Sequence, residues 1–270
     1  IFCATRPGAL AGVKYYLLPD IKHFSATTVL AAMGQLFYSM SLAMGIMITY
    51  GSYMKKEDDL RDSVRKIEIF DTVVALLAGL MIVPSVFAFS GGSKEALSKG
   101  PSLMFVTMPK VFNSMKIGSL IGAGFFILVL FAALTSAISL LETNVSIICD
   151  KLHWSRKKST VVATLYCLIV GGLISLGYGP LSFIKIIGMN LLDFFDFISN
   201  SVLMPIVAML TCIFIGYIVK PKTIIDEVEL GGKTFKEKKF YVVMLKYVAP
   251  VCLLLILLFA VSEALGLIKV

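Results

Sequence analysis

The sequence predicts an all-α integral membrane protein. Hydrophobic residues make up 58% of its 270 residues and charged residues 16%, and the mean hydropathy is +0.90. Soluble domains are nearer about 45–50% apolar and about 25% charged. Six apolar runs, each long enough to cross a bilayer core about 30 Å thick, follow one another along the chain. These observations exclude a soluble domain, a disordered chain and a coiled coil.

We expect one transmembrane domain over residues 1–270. The six predicted spans lie near 29–53, 72–93, 117–149, 159–178, 190–219 and 241–263. The loop 94–116 between the second and third spans is long and moderately apolar, and Pro101 and Pro109 divide it. It either folds back onto the outer mouth of a helix bundle or forms a solvated connector.

The positive charge predicts the orientation of the chain. The net charge is +8, and 15 of the 25 lysines and arginines lie in the loops 54–71, 150–158 and 220–241, whereas 9 lie on the opposite side. Cytoplasmic loops of membrane proteins carry an excess of Lys and Arg. We therefore expect a multi-pass protein of the cell (plasma or inner) membrane with its C-terminus outside, and we expect no nucleic-acid partner.

No catalytic motif occurs in the sequence. It lacks HExxH, G-x-S-x-G and a phosphate-binding loop, and its two histidines, His23 and His153, lie in predicted loops. A hydrolase or transferase needs a nucleophile and a base in position. The five cysteines lie far apart without a CxxC pair, so neither zinc nor redox chemistry follows. We predict that the protein is not an enzyme and has no organic cofactor.

The middle of the first span, Ser39–Gly45, is unusual for a membrane helix. Its two hydroxyls and its glycine weaken a helix locally. Unwound backbone is tolerated in a membrane only where it lines a cavity or binds something, and the ends of half-helices carry partial charges that attract ions. The alternative is a continuous helix whose small residues pack against neighbouring helices.

Other polar residues inside the spans have two interpretations each. Thr135 and Ser136 offer hydroxyl oxygens to a hard cation such as sodium, or bond back to a carbonyl one turn earlier. Asp71 opens the second predicted span, either as a functional carboxylate or as an interfacial helix cap. Asp193 and Asp196 share one helix face and form a gate or a wetted helix start. Glu142 and Glu263 are expected to be structural and solvated, respectively.

Several motifs resemble the neurotransmitter:sodium symporter family, and especially its bacterial amino-acid transporters. Gly34–Gly45 (GQLFYSMSLAMG) and Thr49–Tyr53 (TYGSY) are similar to the sixth helix of that family. The resemblance continues through residues 100–109, Ala132–Ser136 and residues 192–197, in order along the chain. It implies the second half of an inverted-repeat transporter: helices six to ten, the first of them broken, plus one further helix.

The resemblance implies sodium-coupled symport of an amino acid by alternating access, and it assigns roles to individual residues. The sodium ligands it implies are Ser39 and Asp71 at a first site and Ala132, Thr135 and Ser136 at a second. The implied substrate pocket comprises Tyr38, Ser39, Ser41, Met44, Ser136 and Leu140. The implied gating residues are Tyr53, Phe105, Asp150 and Asp196, where Tyr53 supports an inner gate at Asp150. Asp71 adds a negative charge that would replace the chloride that some animal members need.

The resemblance also implies partners that this chain does not contain. The first five helices of the family are absent, together with the arginines that pair with Asp196 and Asp150. Ala43 stands where many members have glycine, so we expect a narrower pocket that prefers a small or medium apolar amino acid over tryptophan. The alternative to a symporter is a truncated, non-transporting membrane fragment that pairs with a partner supplying the missing repeat.

Overall fold

The computed structural model describes residues 8–89, 103–230, 234–264 and 266, and these are helical and connecting segments without a β-strand. Five helical segments are long and apolar enough to cross a membrane: Leu60–Ala88, Gly118–Leu152, Arg156–Tyr178, Leu191–Val219 and Lys238–Ala264. This confirms the prediction of an all-α, multi-pass membrane protein.

The described elements follow the chain in a simple order. The α-helices are α1 (Ala9–Leu17), α2 (Ala26–Ser39), α3 (Ile46–Ser52), α4 (Leu60–Phe89), α5 (Met108–Asn113), α6 (Gly118–Leu152), α7 (Arg156–Ser175), α8 (Leu191–Asp196), α9 (Met204–Ile213), α10 (Pro221–Val228), α11 (Lys238–Val243) and α12 (Ala249–Ala264). The described residues contain four π-helical segments: Leu103–Thr107 directly precedes α5, and Phe197–Leu203, Phe214–Val219 and Met244–Val248 lie between successive α-helices.

The first predicted span is divided into two short helices. Ser25 caps α2, because its side-chain oxygen accepts a hydrogen bond from the Thr28 amide at 3.3 Å. The helix ends at Ser39, and α3 begins at Ile46. Residues 40–45 between them are not helical. The interruption divides the segment into pieces too short to cross a membrane singly.

Helix α4 begins at Leu60, well before the apolar run that predicts the second span. Asp59 caps it, with a side-chain oxygen 3.0 Å from the Asp62 amide. Asp71 therefore lies more than three turns inside the helix, and its interpretation as a helix cap is wrong. The first part of α4 carries charged residues, so hydropathy does not mark it. The last part of the predicted span, residues 90–93, lies outside the described residues.

The loop between the second and third spans is partly helical and packed. Met108, Val111 and Phe112 of α5 are nearly fully buried, and they form a core with Val86 of α4. The solvated-connector interpretation is therefore wrong for residues 103–115. A side chain at Gly118 would place its Cβ 1.7 Å from the Phe112 carbonyl oxygen, so only glycine fits at this approach. Residues 94–102 of the loop, which include Pro101, lie outside the described part of the chain.

The chain forms two compact units. One combines Ile1–Phe24 with Lys66–Ser136, and the other combines Ser25–Arg65 with Ala137–Val270. In the second unit α12 packs against α9 and α2, with Leu253, Ile256 and Phe259 buried. The predicted site residues are consequently distributed over two bodies, each of which is described by itself below.

Candidate functional site

The interruption between α2 and α3 is built from left-handed backbone. Ser41, Ala43 and Gly45 have φ values of 54°, 61° and 79°. Glycine adopts this conformation freely, whereas a residue with a side chain is strained in it. A Cβ at Gly45 would lie 2.8 Å from the Thr143 side chain, so a close approach of the chain to α6 also favours glycine there.

Four of the substrate residues implied by the sequence lie at this interruption, within the second unit. Tyr38 and Ser39 end α2, and Ser41 and Met44 lie in the non-helical segment. The Ser41 amide bonds to the Tyr38 carbonyl at 3.0 Å, which tightens the helix end. The C-terminal end of a helix carries partial negative charge and attracts cations. The carbonyl end of α2 and the hydroxyls of Ser39 and Ser41 therefore lie at or within the non-helical segment 40–45.

Helix α3 is held along one face of α6. The Tyr50 hydroxyl hydrogen-bonds the Ser139 hydroxyl at 2.6 Å, and Gly45 lies against Thr143. Leu140, an implied substrate residue, lies between these contact positions on α6 and is 43% exposed. The second half of the interrupted helix thus has a fixed partner, whereas Leu140 remains accessible.

An ion pair closes the far end of this contact. The Tyr53 hydroxyl donates to Glu142 Oε1, and Arg156 Nη2 lies 2.7 and 2.6 Å from the two Glu142 oxygens. The Glu142 side chain is only 18% exposed, and the Arg156 side chain is 66% exposed. Sequence reasoning assigned Glu142 no specific partner and missed Arg156. The signal was an acidic residue within an apolar run, followed by an arginine at the start of the next helix.

The implied gating residues Tyr53 and Asp150 lie in the second unit, whereas Phe105 lies in the first unit. Tyr53 contacts Glu142, and Asp150 lies two turns further along α6 with an exposed side chain. Phe105 is 63% exposed and stacks on Phe126 with ring centroids 6.2 Å apart, inside the first unit. Asp150 and Phe105 are exposed. The gating roles of Tyr53, Phe105 and Asp150 stay predictions.

The residues implied at the second sodium site lie in the first unit, on α6. The Thr135 hydroxyl donates to the Ala132 carbonyl at 2.9 Å, the back-bonding arrangement expected of hydroxyls in membrane helices. This bond places two of the implied ligand oxygens, those of Ala132 and Thr135, 2.9 Å apart. Ser136 is the next residue and is exposed.

Asp71 lies in the first unit and Ser39 in the second. Asp71 is partly buried on α4, beside an open groove lined by Ile67, Phe70 and Val74. A carboxylate well inside a membrane helix is a functional candidate by default. The role of Asp71 as a sodium ligand stays a prediction.

The two carboxylates of α8, Asp193 and Asp196, have different surroundings. Asn190 caps α8: its Oδ1 accepts from the Asp193 amide at 2.9 Å, and its amide donates to Asp193 Oδ2 at 2.7 Å. Asp193 therefore belongs to a helix start. Asp196 accepts a hydrogen bond from Asn200 and lines a cavity of about 350 Å³ between α2 and α12.

Five further polar side chains line that cavity together with Asp196. They are Gln35, Tyr38, Asn200, Ser201 and Glu263. The sequence expected Glu263 to be solvated and did not predict Asn200. Because the cavity reaches Tyr38, it extends from an implied outer gate to the edge of the implied substrate pocket.

Interrupted helices with opposed half-helix ends inside a multi-pass bundle define a class of proteins, the secondary transporters. The sequence model of the Sodium:neurotransmitter symporter family matches residues 1–267. The chain belongs to this family, which comprises transporters and not enzymes.

Sodium-dependent transporters are similar to the chain over nearly its full length. An uncharacterised sodium-dependent transporter, YhdH, of Bacillus subtilis (strain 168) is 35% identical over 257 residues, which cover 94% of this chain and 56% of that protein. A sodium- and chloride-dependent glycine transporter of Xenopus laevis is 29% identical over 270 residues, 96% of this chain and 41% of the transporter. The chain spans about half the length of the curated relatives it matches.

A solved structure shows the same fold. The crystal structure of MhsT in complex with L-phenylalanine superposes with a TM-score of 0.83 at 36% identity, over 96% of this chain and 58% of that chain. The match extends the family relationship from the sequence to the arrangement of the helices.

Proposed function

We propose that the chain is the C-terminal part of a symporter that moves an amino acid into the cell together with sodium. The observation that carries the proposal is the interruption at residues 40–45, because unwound backbone in a membrane segment needs a polar partner. The family supports sodium as the coupling ion. The transporters that the chain resembles support an amino acid as the substrate, since one is a glycine transporter and another holds L-phenylalanine.

The mechanism we propose is alternating access. One sodium ion binds at Ser39 and Asp71, and another binds at Ala132, Thr135 and Ser136. Both ions favour the state that accepts substrate, because a ligand shifts a conformational equilibrium only through its different affinities for the two states. The membrane potential adds about 2.3 kcal/mol per charge per 100 mV.

The substrate-binding residues we propose are Tyr38, Ser39, Ser41, Met44, Ser136 and Leu140. Ala43 adds a methyl group to the interrupted segment, at a position with a φ of 61° where the family resemblance implies glycine in many members. We therefore propose a preference for small or medium apolar amino acids over tryptophan. Competition in which tryptophan displaces substrate better than alanine and leucine would contradict it.

The parts that complete the transporter are also proposals. The chain supplies helices six to ten of two inverted repeats and one further helix, and five preceding helices supply the arginine partners of Asp196 and Asp150. The C-terminus lies outside, and Asp71 makes chloride unnecessary.

A truncated, non-transporting fragment that pairs with a second polypeptide is the alternative. An immunoblot of native membranes with an antibody to the loop 220–239 separates them: a band about 18–20 kDa above the 29.4 kDa of this chain favours the symporter.

Sodium-driven uptake into proteoliposomes tests the ion site. Thr135→Val removes one proposed oxygen ligand and keeps the shape of the side chain. Thr211 offers a matched control, because its hydroxyl bonds back to the Val207 carbonyl at 2.8 Å inside another membrane helix. We expect Thr135→Val to raise the half-saturating sodium concentration on the order of tenfold and Thr211→Val to leave it unchanged. Equal effects of the two variants would remove the proposed second sodium site.

A further inference from the structure

A basic cavity lies where two membrane helices end and begin. It is formed by the end of Leu191–Val219, the start of α10 and the start of Lys238–Ala264, all within the second unit. Its volume is about 390 Å³, and Lys220, Lys222 and Lys246 line it. We call these three residues the lysine cluster.

The backbone around the cavity departs from regular helix on both sides. The segments Phe214–Val219 and Met244–Val248 are both π-helical, and Lys220 has a φ of 69°. A lysine in left-handed backbone is strained, and π-helical turns occur frequently at functional sites. Two π-helical segments and one residue with a positive φ therefore border the same cavity.

The sequence explains how these features bring Lys246 toward the cavity. Pro250 has no N–H to donate to the Lys246 carbonyl, and the Tyr217 hydroxyl donates to that carbonyl at 3.3 Å. Gly216 is buried and leaves room for the Lys246 stem, because a Cβ at Gly216 would lie 3.4 Å from Lys246 Cγ. The Lys246 ammonium lies 5.2 Å from the centre of the Tyr217 ring.

The lysine cluster has no counter-charge among the described residues. No acidic residue in the described part of the chain lines the cavity, and none forms an ion pair with Lys220, Lys222 or Lys246. Two other basic residues of the second unit are paired: Lys238 lies 2.5 Å from Glu229, and Arg61 lies 2.6 Å from Glu237. Three ammonium groups around one cavity repel one another unless an anion joins them.

We infer that this cavity binds the phosphate group of an anionic phospholipid. A membrane lipid fits better than a soluble phosphate for two reasons. The cavity joins the ends of two apolar spans, and Ile225 and Val242 give it apolar walls beside the charged groups. Basic pockets between membrane helices on the cytoplasmic side attract anionic head groups, and the loop 220–239 is on the side that the charge distribution predicts as cytoplasmic. The inference does not depend on sodium-coupled transport.

Native mass spectrometry of the purified protein tests this inference. The protein in detergent is titrated with phosphatidylglycerol, with phosphatidylcholine or with inorganic phosphate. We expect phosphatidylglycerol to bind in preference to phosphatidylcholine. The triple variant Lys220→Gln, Lys222→Gln and Lys246→Gln should lose affinity by about fivefold for each lysine removed.

A matched control removes the same charge from the same side of the membrane. Lys55→Gln, Lys56→Gln and Lys157→Gln change three lysines in the loops 54–71 and 150–158, outside the cavity, and should keep the lipid preference. Equal losses in the two triple variants would show that general surface charge binds the lipid and would overturn the inference. Inorganic phosphate that displaces phosphatidylglycerol at millimolar concentration would show that a soluble anion occupies the cavity, and would also overturn it.

Unaltered protein provides a test that does not depend on folding of the variants. A photoactivatable phosphatidylglycerol is irradiated with the protein in membranes, and the modified peptides are identified. We expect modification in residues 214–225 and 240–250. Modification that is confined to other segments would overturn the inference.

Discussion

The ion pair between Glu142 and Arg156 gives a prediction whose size follows from its geometry. Arg156 donates to both oxygens of Glu142, and Tyr53 donates to one of them. Hydrogen bonds to charged groups contribute about 1.5–3 kcal/mol each, and exposed ion pairs contribute about 0.2–1 kcal/mol. Glu142 is 18% exposed, but Arg156 is 66% exposed, so solvent screening reduces the upper figure. We therefore expect the pair to behave as an exposed ion pair and not as a buried one.

The variant Glu142→Gln removes the charge and keeps the size of the side chain. It should release the end of α3 from α6, since Tyr53 ends the segment that Glu142 holds. We expect this segment to open about two- to fivefold faster, the range that exposed ion pairs support. Amide hydrogen exchange of residues 46–54, followed by mass spectrometry, measures it.

A double-mutant cycle separates the ion pair from nonspecific damage. The effects of Glu142→Gln and Arg156→Gln on the opening rate should not add in the double variant, because each removes the same pair. Glu68→Gln, on an exposed face of α4, is the control and should leave the exchange of residues 46–54 unchanged. If the effects of Glu142→Gln and Arg156→Gln simply add, the pair does not hold α3 and our reasoning is wrong.

Three further predictions concern other parts of the chain. Ala43→Gly should stabilise the protein by about 1 kcal/mol, because φ is 61° at this position; a lower thermal midpoint than wild type would contradict the strain argument. Gly118→Ala should destabilise by about 1–3 kcal/mol, because its Cβ would collide with the Phe112 carbonyl; an unchanged midpoint would mean that the helix start shifts without cost. Lys238 and the Phe235 amide lower the pKa of Glu229, so its contribution is present above the ordinary glutamate pKa and is lost as pH falls through the lowered value. The difference in stability between wild type and Glu229→Gln should therefore shrink from about pH 6 to about pH 3, and a difference that grows would contradict the pairing.

Composition and apolar runs determined the class of this protein. An apolar segment of sufficient length has to satisfy its backbone within itself in a bilayer, so an all-helical, multi-pass fold follows from sequence alone. The motifs around Gly34–Gly45 were specific enough to indicate the family, which the comparisons confirm. The alternation of basic loops predicts an orientation, which stays a prediction.

Tertiary structure decided what individual polar residues do. Hydropathy detects apolar residues and not the charged residues that form the first turns of α4. It therefore could not show that α4 begins at Leu60 and contains Asp71 in its interior. It could not show that Met108 and Phe112 are buried, since burial depends on which surface a loop contacts. Glu142 and Arg156 are 14 residues apart in sequence, and a turn between two helices brings them together. Long-range pairing of this kind depends on the packing of helices, which no local pattern of residues specifies.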